Sequence, residues 1–309
     1  MDAAKRLKSE LVSMKEYAFF PGCSIPSGFL YYEKLVLRML REFRISVKYP
    51  SGMTCCPSPF SFDIVDDDLF YTIGARNIAL IEELGLDILS PCPGCTMTLS
   101  RVNKHLRSDD LLREQVNSRL GEVGKEYKGK IHVQSLLRTL YEDIGPEAIS
   151  ARVRTPLKGL RVAIHYGCHS FEELEEYDNA ENPKALETLC KSLGAEVVKY
   201  ELANECCLVF ANSVERDSVL KAVQRKIDSM RAAGANCIVV ICSSCFSQFD
   251  KTQEVLSWLD ILNEQEQIPV FLYPELLALS MNIDLSDIGL SEHKTDVMTL
   301  LRSLDLVQS

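Results

Sequence analysis

Short apolar runs, each closed by a turn and followed by a longer stretch with apolar residues three and four apart, recur along this chain. The run in "YAFFPGC" ends at Gly22-Cys23, and the run in "RVAIHYGC" ends at Gly167-Cys168. Both read as strands buried on two faces, whose C-terminal ends deliver a cysteine into a loop. "ARNIALIEELGLDILSPCPGC" and "QRKIDSMRAAGANCIVVICSSC" share one form: amphipathic helix, strand, then Cys-x-x-Cys. Gly85 and Gly234 fall where helix C-caps belong. Further helical segments follow each Cys-x-x-Cys, and then a last short strand in "KIHVQSLLRTL" or "IPVFLYPELLAL". Strands alternating with helices predict parallel sheets covered by helices, an α/β fold. "MDAAKRLKSELVSMKEYAFF" reads as a short amphipathic helix entering the first strand.

The pattern occurs twice. Val47-Lys48-Tyr49 returns as Val198-Lys199-Tyr200, at an offset of 151. The expected architecture is therefore two pseudo-symmetric duplicated domains, each a small mostly parallel sheet flanked by helices. Turn residues and charge in "IGPEAISARVRTPLKGLR" mark the junction. The expected division is 15–152, 153–285 and a C-terminal surface tail, 286–309, with one helix.

Composition narrows the chemistry. With 309 residues, 46% hydrophobic and 25% charged, the chain is long enough for two globular domains. A net charge of -10 argues against nucleic acid as the main partner, since phosphate binding needs clustered Lys and Arg. No apolar run approaches the ~18–20 residues of a membrane-spanning helix. The N-terminal stretch lacks the apolar centre and small-residue cleavage site of a secretory signal. The chain is thus expected in a reducing cytoplasm, where cysteine patterns more often bind metal or do redox work than form structural disulfides.

Ten of the twelve cysteines fall into two matching sets. Cys23, Cys55-Cys56, Cys92 and Cys95 follow C-x31-CC-x35-C-x2-C, and Cys168, Cys206-Cys207, Cys242 and Cys245 follow C-x37-CC-x34-C-x2-C. In an open parallel sheet, sites form at the carboxyl ends of strands, where all of these cysteines are expected. Five thiolates are one too many for tetrahedral zinc, and no His-x3-5-His pattern accompanies them. Neighbouring cysteines rarely converge on a single small ion but readily reach different irons of a cluster. Iron–sulfur binding is the favoured reading, with zinc and metal-free disulfide chemistry as alternatives. The ferredoxin run C-x2-C-x2-C-x3-C-P, the GxGxxG fingerprint and the GxxxxGK loop are all absent, so electrons must arrive from a partner protein.

Two copies of C-x31–39-CC-x35–36-C-x2-C resemble the cysteine-rich CCG domain family, the second gap of 34 falling one short. The likeness spans roughly residues 15 to 283, and a two-copy chain of this length is similar to the catalytic subunit of heterodisulfide reductases. The resemblance implies two noncubane [4Fe-4S] clusters, one on Cys23, Cys55, Cys56, Cys92 and Cys95, the other on Cys168, Cys206, Cys207, Cys242 and Cys245. The implied reaction is reduction of the coenzyme M–coenzyme B mixed disulfide, bound between the clusters, to two thiols. Each cluster would deliver one electron and capture one sulfur. The implied partners are a ferredoxin-like iron–sulfur subunit and a flavin-containing subunit, with room for a hydrogenase or formate dehydrogenase alongside. The alternative is an electron-transfer or anchoring CCG subunit of a succinate-, fumarate- or sulfur-oxidation-linked complex. Members often carry Gly after the cysteine pair, whereas Pro57 and Leu208 stand there in this chain.

His165 and His169 flank Cys168, and either is a candidate proton donor to a departing thiolate or hydrogen-bond partner of cluster sulfide; the plainer reading is a strand-end histidine. Pro91 and Pro93 stiffen the first Cys-x-x-Cys turn, where the second has Ser243 and Ser244. Cys190 and Cys237 are expected to remain unligated. The acidic "FEELEEYDNAENP" reads as a solvated helix and loop, with docking of a basic partner as its functional alternative.

Overall fold

The computed structural model describes residues 15–58 and 62–307; the N-terminal helix expected before residue 15 lies outside them. The first half contains β1 (Glu16–Phe19), α1 (Leu30–Glu42), β2 (Ser46–Lys48), α2 (Asp67–Glu82), β3 (Asp87–Ser90), α3 (Pro93–Ser108), α4 (Asp110–Gly121) and β4 (Val133–Ser135). The second contains β5 (Arg161–His165), α5 (Phe171–Tyr177), α6 (Ala185–Ser192), β6 (Glu196–Val198), α7 (Arg216–Ala232), β7 (Cys237–Val240), α8 (Ser243–Trp258), β8 (Val270–Leu272), α9 (Tyr273–Ser280) and α10 (Val297–Ser303). Two four-stranded sheets result, ordered β2-β1-β3-β4 and β6-β5-β7-β8, and every pairing is parallel. The repeated α/β architecture expected from the sequence is the one observed.

The apolar runs explain the register. β7 is buried along its whole length, as a strand covered by helices on both faces must be. Left-handed Gly85 and Gly234 follow α2 and α7 and turn the chain back into β3 and β7. In each sheet the connections leave the two central strands in opposite directions. β1 and β3, and likewise β5 and β7, therefore flank a topological switch point, where a crevice opens beyond the strand ends.

The segment expected as a surface tail is instead packed. Ile288, Leu290, Val297 and Leu301 are buried in it. His293 Nε2 meets Glu275 Oε1 at 3.1 Å, and Asp250 accepts from Lys294 N, Thr295 N and Thr295 Oγ1 at 2.8–2.9 Å. Arg38 on α1 pairs with Asp287, and Gly289 lies flat on the Tyr31 ring, which leaves no room for a Cβ. The segment thus ties the second half to the first. Val297 and Leu301 share one face of α10, but Ile288 and Leu290 lie outside any regular helix or strand period, so tertiary contacts reveal their burial.

The acidic stretch after Cys168 is also only partly solvated. α5 lies against the first half: Arg101 pairs with Glu172 at 3.2 Å, and Arg138 pairs with Glu176 at 2.6 Å. Glu173 is buried and accepts from Ser135 N at 2.8 Å. Burial raises its carboxyl to about 7. Between the ordinary carboxylate range and that value the folded state binds more protons than the unfolded one, so this group lowers stability as pH rises. Glu173→Gln, which keeps an acceptor for Ser135, is expected to gain about 1–3 kcal/mol at pH 8 and almost nothing at pH 4. Urea unfolding of the two proteins at both pH values checks this, and an equal effect at both would contradict it.

Candidate metal centre

Each cysteine set assembles from three strand ends. In the first half, Cys23 follows β1, the Cys55-Cys56 pair follows β2, and Cys92 and Cys95 bracket the start of α3 after β3. The second half repeats this with Cys168 after β5, Cys206-Cys207 after β6, and Cys242 and Cys245 at the start of α8. All twelve cysteines are free thiols, and Cys190 and Cys237 are buried away from the strand C-terminal ends.

The thiols of each set meet through hydrogen bonds. In the second, Cys168 Sγ lies 3.7 Å from Cys206 Sγ, and Cys245 Sγ donates to Cys207 Sγ at 3.4 Å. Interaction with Cys168 pulls the Cys206 thiol far down, while its neighbour Cys206 pushes Cys207 up to about 12. The first set behaves likewise: interaction with Cys55 holds Cys56 down at about 4, and Cys95 is raised mainly by Cys56. Such opposed shifts mean that each crowded set retains protons that a bound cation would displace.

The backbone is shaped around these thiols. Gly22 and Gly167 are both left-handed, with φ of +77° and +81°. A Cβ would come within 2.6 Å of Cys95 Sγ at the first and 3.1 Å of Cys245 Sγ at the second. Leu208 takes the left-handed conformation too, with φ of +61°, and its N–H donates to Cys206 Sγ at 3.3 Å. Leucine thus adopts the backbone that glycine reaches without strain, at a cost of about 1–2 kcal/mol.

Buried polar atoms test what the sets can hold. The Tyr32 hydroxyl and Ser243 Oγ are buried without a hydrogen-bond partner among the described residues. An unmatched buried donor costs about 1–3 kcal/mol. Tyr32 feels the charge of Cys92 in one set and Cys242 in the other, and His165 lies within 4.8 Å of the Cys207 and Cys245 sulfurs. Donors gathered beside soft thiolate ligands fit a group that brings its own acceptors, as an iron–sulfur cluster does with its sulfides and a zinc ion does not.

The two histidines are placed differently. His165 ends β5, sits edge-on against Phe249 with ring centroids 5.0 Å apart, and is held neutral by burial, its pKa falling to about 3. His169 lies between the halves. Its Nδ1 would stand 3.2 Å from a Cβ on Gly94 of the first Cys-x-x-Cys, and its ring faces Phe210 with centroids 6.0 Å apart. It feels the charge of Cys206 and Cys56 together. Pro93 of the first half joins Cys168, Cys206, Cys242 and Phe210 in lining one small pocket.

A family model described as cysteine-rich domain, CCG, matches residues 17–100 and again 162–250. The chain belongs to this CCG domain family. A relative from Methanosarcina acetivorans, named as a subunit of the ferredoxin/F(420)H(2)-dependent CoB-CoM heterodisulfide reductase, is 32% identical over 284 residues, covering 91% of this chain and 94% of its own. The 8-methylmenaquinol:fumarate reductase membrane anchor subunit of Wolinella succinogenes is 31% identical over 288 residues, covering 93% and 99%. A hypothetical protein of Helicobacter pylori has the same fold, with TM-score 0.72 over 97% of this chain at 13% identity; this chain spans 58% of that longer one. The relatives are named as subunits of larger reductases, and the clustered cysteines of both CCG domains mark this chain as a CCG iron–sulfur subunit. Among the described residues no helix is long and apolar enough to cross a membrane.

Two residues beside the CCG cysteines escape the sequence reading, Tyr32 and Lys226. Each interrupts a buried helical stripe with a polar atom: Tyr32 with Leu35, Val36 and Met39 on α1, and Lys226 with Val219, Val223 and Met230 on α7. A charged residue in phase with an apolar stripe is the signal that would have found Lys226.

Proposed function

We propose that this chain is the disulfide-reducing subunit of a heterodisulfide reductase-type complex, acting on a mixed disulfide such as that of coenzyme M and coenzyme B. Cys23, Cys55, Cys56, Cys92 and Cys95 would hold one noncubane [4Fe-4S] cluster, and Cys168, Cys206, Cys207, Cys242 and Cys245 the other. When bound, the clusters supply electrons one at a time and iron positions open to sulfur. The observation that carries this reading is His169 of the second half, which stands against Gly94 of the first Cys-x-x-Cys turn and interacts electrostatically with Cys206 of one set and Cys56 of the other.

The chain's own residues then have defined tasks. Phe210 and Pro93 exclude water from the crevice. His169 is positioned to donate a hydrogen bond to a sulfur lying between the sets, and His165 to steady the second set from the sheet side. Electrons would enter from a ferredoxin-like partner and a flavin-containing one.

The likeness to a fumarate reductase anchor favours a second reading, electron transfer or anchoring without a disulfide substrate. The purified chain, loaded with iron and sulfide and reduced by a low-potential viologen dye, is expected to release two thiols per coenzyme M–coenzyme B disulfide. Full loading with no thiol release favours the second reading. Failure to bind iron removes both.

A further inference from the structure

The duplication lets the two sites be compared position by position, and one position stands out. Counting from Gly85 and Gly234, Asn77 on α2 corresponds to Lys226 on α7. Both side chains tie the loop carrying the cysteine pair to the helix behind it. Asn77 Nδ2 donates to Cys55 O at 2.9 Å while its Oδ1 accepts from Thr54 N at 2.9 Å. Lys226 Nζ donates to Glu205 O, the carbonyl next to Cys206. The mechanical task is the same, but the charge differs.

Lys226 is 2% exposed, the only lysine or arginine of the buried core among the described residues. Its ammonium acts electrostatically on Cys206, Cys207 and Cys245. Nearby charges leave this contribution standing. The Glu205 carboxylate is half exposed and lies 3.6 Å from Arg225, so solvent and a counter-charge both screen it. Arg225 has its own counterpart in Arg76, which donates to Gly52 O at 2.9 Å, so that position does not distinguish the halves. His165 is held neutral by burial.

We infer that the buried Lys226 ammonium gives the group at the second cysteine set a higher reduction potential than the group at the first. Added electrons then reside preferentially on the Cys168–Cys245 side. This rests on the reading that both sets hold iron–sulfur clusters. Each added electron makes a cluster more negative, and the Lys226 ammonium, which burial lowers to about 8 but leaves mostly charged at pH 7, stabilises that form. At an effective interior dielectric near 20, a unit charge within about 10 Å changes a one-electron equilibrium by tenfold or more. A neutral amide at Asn77 supplies no such bias. Lys226 is on this account a positioning residue, since it touches the loop and acts on the cluster through space.

The test is a redox titration of the loaded full-length chain, followed by EPR and visible absorbance, with the two transitions assigned from a Cys23→Ser variant. In the unsubstituted chain the second-set transition is expected at the higher potential; the reverse order overturns the inference without recourse to any Lys226 variant. Lys226→Met, once its iron content matches the parent, is expected to lower the second transition by at least tenfold in equilibrium constant, about 59 mV for one electron. The first transition should stay in place, and Lys226→Arg should restore the second. Loaded Lys226→Met with both transitions unmoved, or moved equally, overturns the inference. Should Lys226→Met fail to load, Lys226→Gln retains a donor for Glu205 O and serves the same comparison. Parent protein that takes up no iron at the second set overturns the underlying cluster reading instead.

Discussion

Cys207→Ser is expected to halve the iron content of the loaded chain, from about eight to about four atoms if each set holds a four-iron cluster. Cys207 is buried and hydrogen-bonded to Cys245 and, through Cys206, to Cys168, so its loss breaks the second set at its centre. The first set shares no thiol with it and should load normally. Cys56→Ser should give the complementary result. Cys190→Ala is the control, because Cys190 lies buried on α6 outside both sets, and its iron content should equal that of the parent. Metal binding is coupled to folding, so each serine variant should also lose the thermal stabilisation that loading brings to the affected half. Iron analysis with circular dichroism melts reads both quantities. Equal iron in the Cys207→Ser and parent proteins would sink the two-set assignment.

The second large effect is expected from Gly22→Ala. Alanine there meets two costs: a left-handed backbone at φ +77°, and a Cβ placed 2.6 Å from Cys95 Sγ. The backbone cost alone is about 1–2 kcal/mol, and moving a buried thiol adds about 1–3 kcal/mol for overpacking. The variant should therefore lose about 2–5 kcal/mol of stability and most of the iron at the first set. Gly167→Ala meets a looser contact, 3.1 Å to Cys245 Sγ, and should lose less. Gly28→Ala has nothing within 4 Å of its Cβ and should be near neutral. The order Gly22, Gly167, Gly28 in denaturant midpoints is the check; an undamaged first set in Gly22→Ala would contradict this account of the loop.

Much of this could be read from the chain itself, for a physical reason. Buried parallel strands are written as continuous apolar runs, and the central runs of each half, β1, β3, β5 and β7, each lead into a turn that carries a cysteine, so fold and site share one signal. Duplication then supplies an internal comparison that a single copy lacks. What stayed hidden depends on tertiary contacts. Glu173 stands in a run of acids that looks solvated, and only the approach of Ser135 from β4 shows why one of them is buried. Asp250 and Glu275 fix the C-terminal segment through His293 and Thr295, pairings with no sequence period. Lys226 falls in phase with Val219, Val223 and Met230, a signal in the sequence, but only the packing of α7 shows it turned inward.

The placement of Pro93 and His169 has a consequence for how the chain works as a unit. Pro93, from the first half, forms a wall at the second set, while His169, from the second, covers the first Cys-x-x-Cys turn. Each half is therefore the other's lid. Parting the halves at the contact held by Arg101–Glu172 and Arg138–Glu176 would uncover the Cys-x-x-Cys turn of the first set and the pocket of the second at once, so water would reach both sites in the same event.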